Sequence, residues 1–239
     1  MSHSLLNLQF ESEAIKVQNQ NWIDFLKNYS HFPYHAKFTN NGPIVSDSEG
    51  RKFQIDFIQD RTNYHKFKNS VRKEPLARAL GAGQKGTRLL DMSAGLGIDA
   101  VFLSQLGFKV TALERNPLIF MCLKIAEEKS QKLLTDVPHF IFSEAIEYLK
   151  SLVPENFDVG YFDPMFPDKK KSALPRQEMV VFKNLVGLDP DALEVVEYVC
   201  QKKLFKRFVV KRPIGAETYL KPDGSIEGKI IRYDIYSSH

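Results

Sequence analysis

Arg88-Leu89-Leu90-Asp91-Met92-Ser93-Ala94-Gly95-Leu96-Gly97-Ile98-Asp99-Ala100 is the stretch on which the fold turns. A short apolar run ends on an acid. A loop of small residues with two glycines follows, and Asp99 opens a segment of helical spacing that stops at Gly107. A strand that turns through glycines into a helix brings bare backbone and a helix N-terminus close to a ligand. The next apolar run, Phe108 to Glu114, reads as a strand ending on a second acid, placed to accept both hydroxyls of a ribose. Gly95, Gly97 and Ala100 match a dinucleotide fingerprint, so a nicotinamide-dependent oxidoreductase is one reading. In that fingerprint the first glycine follows the strand almost at once. Here the glycines stand four and six residues after Asp91.

Outward from this stretch the alternation continues. Pro117 to Lys129 reads as a helix with proline in its first turn. His139 to Phe142 is a strand, Glu144 to Leu152 a helix and Phe157 to Asp163 a strand. Helices near Gln177–Leu185 and Ala192–Lys202 precede strands at Phe205–Lys211 and Ile230–Tyr236. Alternating strands and helices predict an α/β domain around a mostly parallel sheet, over residues 80–239. Residues 1–79 read differently. Trp22, Ile23, Phe25 and Leu26 mark an amphipathic segment. Turn signals at Asn40-Asn41-Gly42-Pro43 and Ser48-Glu49-Gly50 frame a strand from Ile44, and Phe53 to Phe57 alternates with period two. A small N-terminal α+β region with a β-hairpin is expected, closed by a helix at Glu74–Leu80.

Composition bounds the function. The 239 residues suit one large domain with a smaller appendage, and 43% hydrophobic against 26% charged residues supports an ordinary core. A net charge of +4 permits a polyanionic partner without requiring one. Cys122 and Cys200 sit in apolar, helix-like runs and offer neither a disulfide framework nor a metal pattern. The N-terminal residues lack a signal-peptide pattern, and no apolar run approaches the roughly 20 residues of a membrane span. A cytoplasmic protein without membrane contact is expected. None of the six histidines has a metal-ligand pattern around it, and no metal is expected.

The second chemical signal is Tyr161-Phe162-Asp163-Pro164-Met165-Phe166-Pro167, at the end of a strand. An exocyclic amine on a nucleobase is a poor nucleophile, because its lone pair is delocalised into the ring. It needs acceptors for its N–H groups and a fixed approach. Asp163 and the Pro164 carbonyl can be those acceptors, Phe166 offers a stacking face, and prolines stiffen the turn. The chemistry requires no metal.

Both signals resemble known motifs. Asp91, three small or apolar residues and then Gly95-x-Gly97 resemble the first motif of class I methyltransferases, which wraps the methionine end of S-adenosylmethionine. Asp163-Pro164-Met165-Phe166 resembles the (Asn/Asp)-Pro-Pro-aromatic motif of amino-methyltransferases. The longer run Asp163 to Leu174, including Lys169-Lys170-Lys171-Ser172-Ala173-Leu174, with Glu178-Met179, Phe182 and Leu185-Val186-Gly187, is similar to the RsmJ family. Ala94-Gly95-Leu96-Gly97-x-Asp99-Ala100, Leu113-Glu114-Arg115-Asn116-Pro117, Val209-Val210-Lys211-Arg212-Pro213 and Arg232-Tyr233-Asp234-Ile235-Tyr236 agree with it, so the similarity spans about Ile44 to Tyr236.

The resemblance implies a class I, Rossmann-like methyltransferase fold. It also implies S-adenosylmethionine as cofactor and methylation of a guanosine N2 amine in 16S ribosomal RNA, free or in the 30S subunit. No obligate protein partner is evident. Cofactor contacts are then expected at Ile98-Asp99, Glu114-Arg115, Glu144-Ala145 and Asp163, beside the loop residues Asp91, Ala94, Gly95 and Gly97. The family usually has a basic residue where this chain has Ile98, and small polar residues at positions 144 and 145. Contacts from Ile98 and Ala145 are therefore expected through backbone, while Glu144 can receive the adenine amine.

Lys169, Lys170 and Lys171 follow the motif directly and can hold phosphates beside the target base. Lys211 and Arg212 end a strand on the same edge of the sheet and can border the substrate. Arg61, Lys66, Lys68, Arg72 and Lys73, interleaved with Tyr64 and Phe67, suggest a further RNA contact or a charged helix face. The alternatives are an adenine N6 methyltransferase of DNA or RNA, the nicotinamide enzyme, and a non-enzymatic RNA-binding assembly factor.

Overall fold

The computed structural model describes residues 6–29, 34–58, 74–81, 85–134, 136–153, 156–166 and 177–238. The centre is a seven-stranded sheet. Its strands are β5 (Arg88–Asp91), β6 (Lys109–Glu114), β7 (His139–Phe142), β8 (Val159–Phe162), β9 (Arg207–Pro213), β10 (Gly224–Glu227) and β11 (Ile231–Ser237). They lie in the order β10-β11-β9-β8-β5-β6-β7, parallel except for β11, which runs antiparallel to both its neighbours. β5 and β8 are central and covered on both faces, so their side chains are buried almost without alternation.

Helices α4 (Ile98–Gln105), α5 (Pro117–Gln131), α6 (Ala145–Ser151), α7 (Gln177–Val186) and α8 (Ala192–Lys202) follow these strands. Their ends have local causes. Asn116 caps α5, its side-chain oxygen accepting the N–H groups of Leu118 at 3.0 Å and Ile119 at 3.1 Å, with Pro117 first in the helix. Gly107, at φ 100°, stops α4. It donates to the Ser104 carbonyl while Phe108 donates to Leu103, the paired bonds of a Schellman turn.

A second sheet of four strands lies in front of this unit: β1 (Asn7–Phe10), β2 (His35–Thr39), β3 (Gly42–Ser46) and β4 (Lys52–Gln54), in that order. β1 pairs parallel with β2, and β2, β3 and β4 form an antiparallel meander. The expected hairpin is present as β3–β4, but β4 ends at Gln54 rather than Phe57, and β1, β2 and β10 are strands that the sequence pattern did not reveal. α1 (Glu13–Gln18) and α2 (Gln20–Lys27) account for the amphipathic segment, and α3 (Pro75–Ala79) for the short helix before the large sheet.

Ala36, Phe38, Val45 and Phe53 form the buried face of the small sheet and belong to one continuous apolar core with Phe57, Leu123 and Phe140. Trp22 on α2 meets Phe120 on α5 edge-on, with ring centroids 6.1 Å apart. Phe57, 1% exposed, stacks on Phe140 of β7 at 5.6 Å. Phe57→Ala is therefore expected to remove about 3–5 kcal/mol of stability. Urea unfolding of the variant and the wild type checks this.

Candidate active site

The strand order reverses between β5 and β8, and a cavity of about 260 Å³ opens there over the strand ends. Its floor is the glycine loop. Asp91 is buried beneath it. The Ser93 N–H donates to Asp91 Oδ1 at 3.0 Å, and Oδ2 has no hydrogen-bond partner among the described residues. Burial raises the Asp91 carboxyl to about 8. Gly95 turns at φ 55°, and its N–H reaches Glu114 Oε2 at 3.0 Å, while the Asn116 N–H reaches Oε1 at 2.7 Å. Each oxygen of Glu114 keeps a lone pair for a second donor. Burial raises this carboxyl to about 7 against the two backbone bonds.

Gly97 serves differently. At φ 78°, a Cβ there would stand 2.9 Å from both Leu123 and Phe57. Its bare Cα makes room for protein, and neither it nor Asp91 lines the cavity.

Along β8 and β9 the register pairs Tyr161 with Val209. Two residues further on, Asp163 and Lys211 therefore come level on one face. Lys211 Nζ lies 2.8 Å from Asp163 Oδ2 and 3.0 Å from Asp99 Oδ2, and the Tyr161 hydroxyl donates to the same Asp99 oxygen at 2.7 Å. Burial pushes Asp163 up to about 6, and the Lys211 ammonium opposes that shift, so the carboxylate is ionised at neutral pH. Burial favours the neutral form of Lys211, but the two carboxylates outweigh it and hold the ammonium charged. The Asp163 N–H donates to Ser93 Oγ at 2.7 Å, which ties the end of β8 to the glycine loop.

Beyond Asp163, Pro164 is buried and the Met165 N–H donates to Asp189 Oδ2 at 2.6 Å. Asp189 is ion-paired with Arg115, whose guanidinium also lies 3.4 Å from Asp191 and 3.6 Å from Glu144. Phe166 is half-buried. The Arg212 guanidinium lies 4.6 Å from its ring centroid and 3.9 Å from that of Tyr219, and donates to the Glu217 carbonyl. On the opposite wall α7 presents Met179, Phe182 and Val186.

The cavity thus gathers most residues singled out from the sequence: Ala94, Gly95, Ile98, Asp99, Glu114, Arg115, Glu144, Ala145, Asp163 and Lys211 all line it. Arg212, expected at the RNA, is 8% exposed and stacked between two rings. Lys211, also expected there, faces two carboxylates. Lys169, Lys170 and Lys171, and the basic run Arg61 to Lys73, lie outside the described residues. Ser93, Tyr161, Asp189 and Tyr219 were not anticipated as site residues. Ser93 and Tyr161 stand inside the quoted motifs without being singled out, and Asp189 and Tyr219 stand outside every motif.

These residues fit an adenosyl sulfonium. Glu114 keeps acceptors for a ribose. Leu113, Ala145 and Phe162 give apolar surface for a purine, and the buried Asp91 carboxyl, one oxygen of which has no partner among the described residues, ionises more readily when a cationic centre lies above it. Sheet order, cleft position and donor set together define the class, an S-adenosylmethionine-dependent methyltransferase.

Comparison with known proteins narrows this. Residues 43–238 match the family described as "Putative SAM-dependent methyltransferase". A protein of Bdellovibrio bacteriovorus named ribosomal RNA small subunit methyltransferase J is 41% identical over 90% of this chain and 88% of its own length. The protein of that name in Thioalkalivibrio sulfidiphilus is 40% identical over 77% of this chain and 75% of its own. The chain belongs to the ribosomal RNA small subunit methyltransferase J family. In fold it is similar to a SAM-dependent methyltransferase from Neisseria gonorrhoeae, with TM-score 0.68 and 22% identity over 97% of this chain and 95% of the other.

The Asp91 carboxyl, raised well above its unfolded value near 4, loses stability for the fold as pH rises from about 4 to about 8. Asp91→Asn keeps an acceptor for Ser93 and removes the titration. Its melting temperature without cofactor is expected to gain on the wild type progressively across that window and to gain nothing more above pH 8. Thermal melts at unit pH intervals measure this.

Proposed function

We propose that this chain methylates the exocyclic N2 amine of a guanosine in 16S ribosomal RNA, in the free RNA or the 30S subunit, in the cytoplasm. The observation that carries the reading is Asp163-Pro164 at the end of β8, beside the cavity, with Asp163 ion-paired to Lys211. Family membership and the names of the relatives support the RNA substrate.

Glu114 and the backbone of Ala94 and Gly95 would hold the ribose and methionine ends of the cofactor, with Ile98 and Asp99 beside them and Glu144-Ala145 at the adenine. When bound, the cofactor supplies a methyl group on a positive sulfonium. Asp163 accepts one N–H of the amine and the Pro164 carbonyl the other, which aligns the nitrogen lone pair. Lys211 keeps Asp163 anionic; Tyr161 holds Asp99, the second carboxylate on that ammonium. Phe166, braced by Arg212, provides the face for the base. The nitrogen gives up one proton, to Asp163 or to solvent. In this reading residues 1–79 recognise the RNA flanking the target, with the basic run Arg61 to Lys73 and Lys169-Lys170-Lys171 on its phosphates.

Incubation of the purified protein with labelled cofactor and unmodified 16S RNA or 30S particles, followed by nucleoside mass spectrometry, is expected to yield N2-methylguanosine. N6-methyladenosine, or no methylated base, overturns the reading. Asp163→Ala is expected to lower kcat by about 10²-fold or more while leaving most of the affinity for S-adenosylhomocysteine, measured by calorimetry. Lys211→Met removes the charge that opposes burial, so Asp163 rises further. The acid limb of the kcat–pH profile is expected to move up by about 1–3 units, with activity lost at pH 7 and regained as pH increases.

A further inference from the structure

Asp189 is outside every motif identified in the sequence, yet it touches the proposed amine site through the backbone. It sits between α7 and α8, after Gly187 at φ 75°, and its own carbonyl accepts the Ala192 N–H at the start of α8. Its side chain, 13% exposed, receives the Met165 N–H on Oδ2 and the Arg115 guanidinium on Oδ1. A carboxylate that is well buried, anchored at its backbone and ion-paired on one oxygen cannot swing on the other.

The Pro164–Met165 peptide is trans, so its C=O and N–H point in opposite directions in one plane. A clamp on the Met165 N–H therefore sets the direction of the Pro164 carbonyl. The clamp is an anion, and donation of a peptide N–H to an anion draws electron density onto the carbonyl oxygen of the same peptide, making it a stronger acceptor. We propose that Asp189 is a positioning residue for methyl transfer: by holding the Met165 N–H it aims and polarises the Pro164 carbonyl that receives the substrate amine. This rests on the reading of Pro164 as an amine acceptor given above. Arg115, at the end of the strand that carries Glu114, completes the arrangement by steering the carboxylate.

The test compares Asp189→Ala, Asp189→Asn and Asp189→Glu in the full chain, with 16S RNA as substrate. Asp189→Ala is expected to lower kcat by about 10- to 100-fold, with KM for RNA and the Kd of S-adenosylhomocysteine changed less than about threefold. Asp189→Asn, which keeps an acceptor and hence the aim but not the charge that polarises the carbonyl, is expected to recover part of kcat and to stay above both Asp189→Ala and Asp189→Glu. Asp189→Glu keeps the charge but moves the oxygen, and is expected to stay impaired. A wild-type kcat in the alanine variant overturns the proposal, and so does loss of cofactor affinity in parallel with kcat. If the alanine variant does not fold, the order of Asn and Glu decides, and Glu more active than Asn overturns it. A wild type that makes no N2-methylguanosine refutes the amine-site reading itself. An inactive Asp163→Ala beside a fully active Asp189→Ala refutes only the role of Asp189.

Discussion

One ammonium among carboxylates organises this molecule. Asp91, Glu114 and Asp163 gather at the ends of neighbouring strands with Asp99 in the first turn of α4, and Lys211 lies between Asp163 and Asp99 at hydrogen-bonding distance. Without that cation, burial would drive Asp163 to the protonated state, and a protonated carboxyl is a poorer acceptor for an amine N–H. The parallel register of β8 and β9 sets the pair opposite each other, and the hydroxyl of Tyr161 fixes the second carboxylate. The remaining acids, Asp91 and Glu114, are bonded mainly by backbone N–H groups and raised by burial, so a cation placed beside them would favour their ionised forms. A cationic ligand is the natural complement of such a cleft.

Short links join the parts of the cleft to one another. Ser93 connects the glycine loop to Asp163, and Arg115 connects the end of β6 to Asp189 and thence to Met165. Asn116 caps α5 and also donates to the Leu185 carbonyl at 3.2 Å, so the helix that walls the cavity is fastened to the strand that carries Glu114. The glycine loop, the Asp163-Pro164 segment and the helical wall are thus one bonded network.

Much of this was legible in the chain, because the fold rests on local signals. The change from strand to helix period around the glycine loop, and the acids closing β5 and β6, identify the sheet and its cleft. Asp163 was legible because proline and an aromatic follow it. What escaped reading is long-range or at an edge. β10 is a four-residue edge strand in which only Ile226 is half-buried, so it has no alternation to detect. Lys211 reads as an RNA contact until the fold brings in Asp163 and Asp99, 48 and 112 residues away. Arg212 reads as surface charge until Tyr219 and Phe166 close over it. The literal dinucleotide fingerprint misleads for a related reason, since the missing Cβ of Gly97 admits Phe57 and Leu123.

That last contact bears on how separable the front sheet is from the catalytic unit. Phe57 comes from the N-terminal region, yet it is the neighbour against which the bend at Gly97 is moulded. Exchange of the front sheet together with Phe57 would leave the turn at Gly97 without its mould unless the replacement supplied an equivalent ring. The two halves are therefore poor candidates for modular exchange.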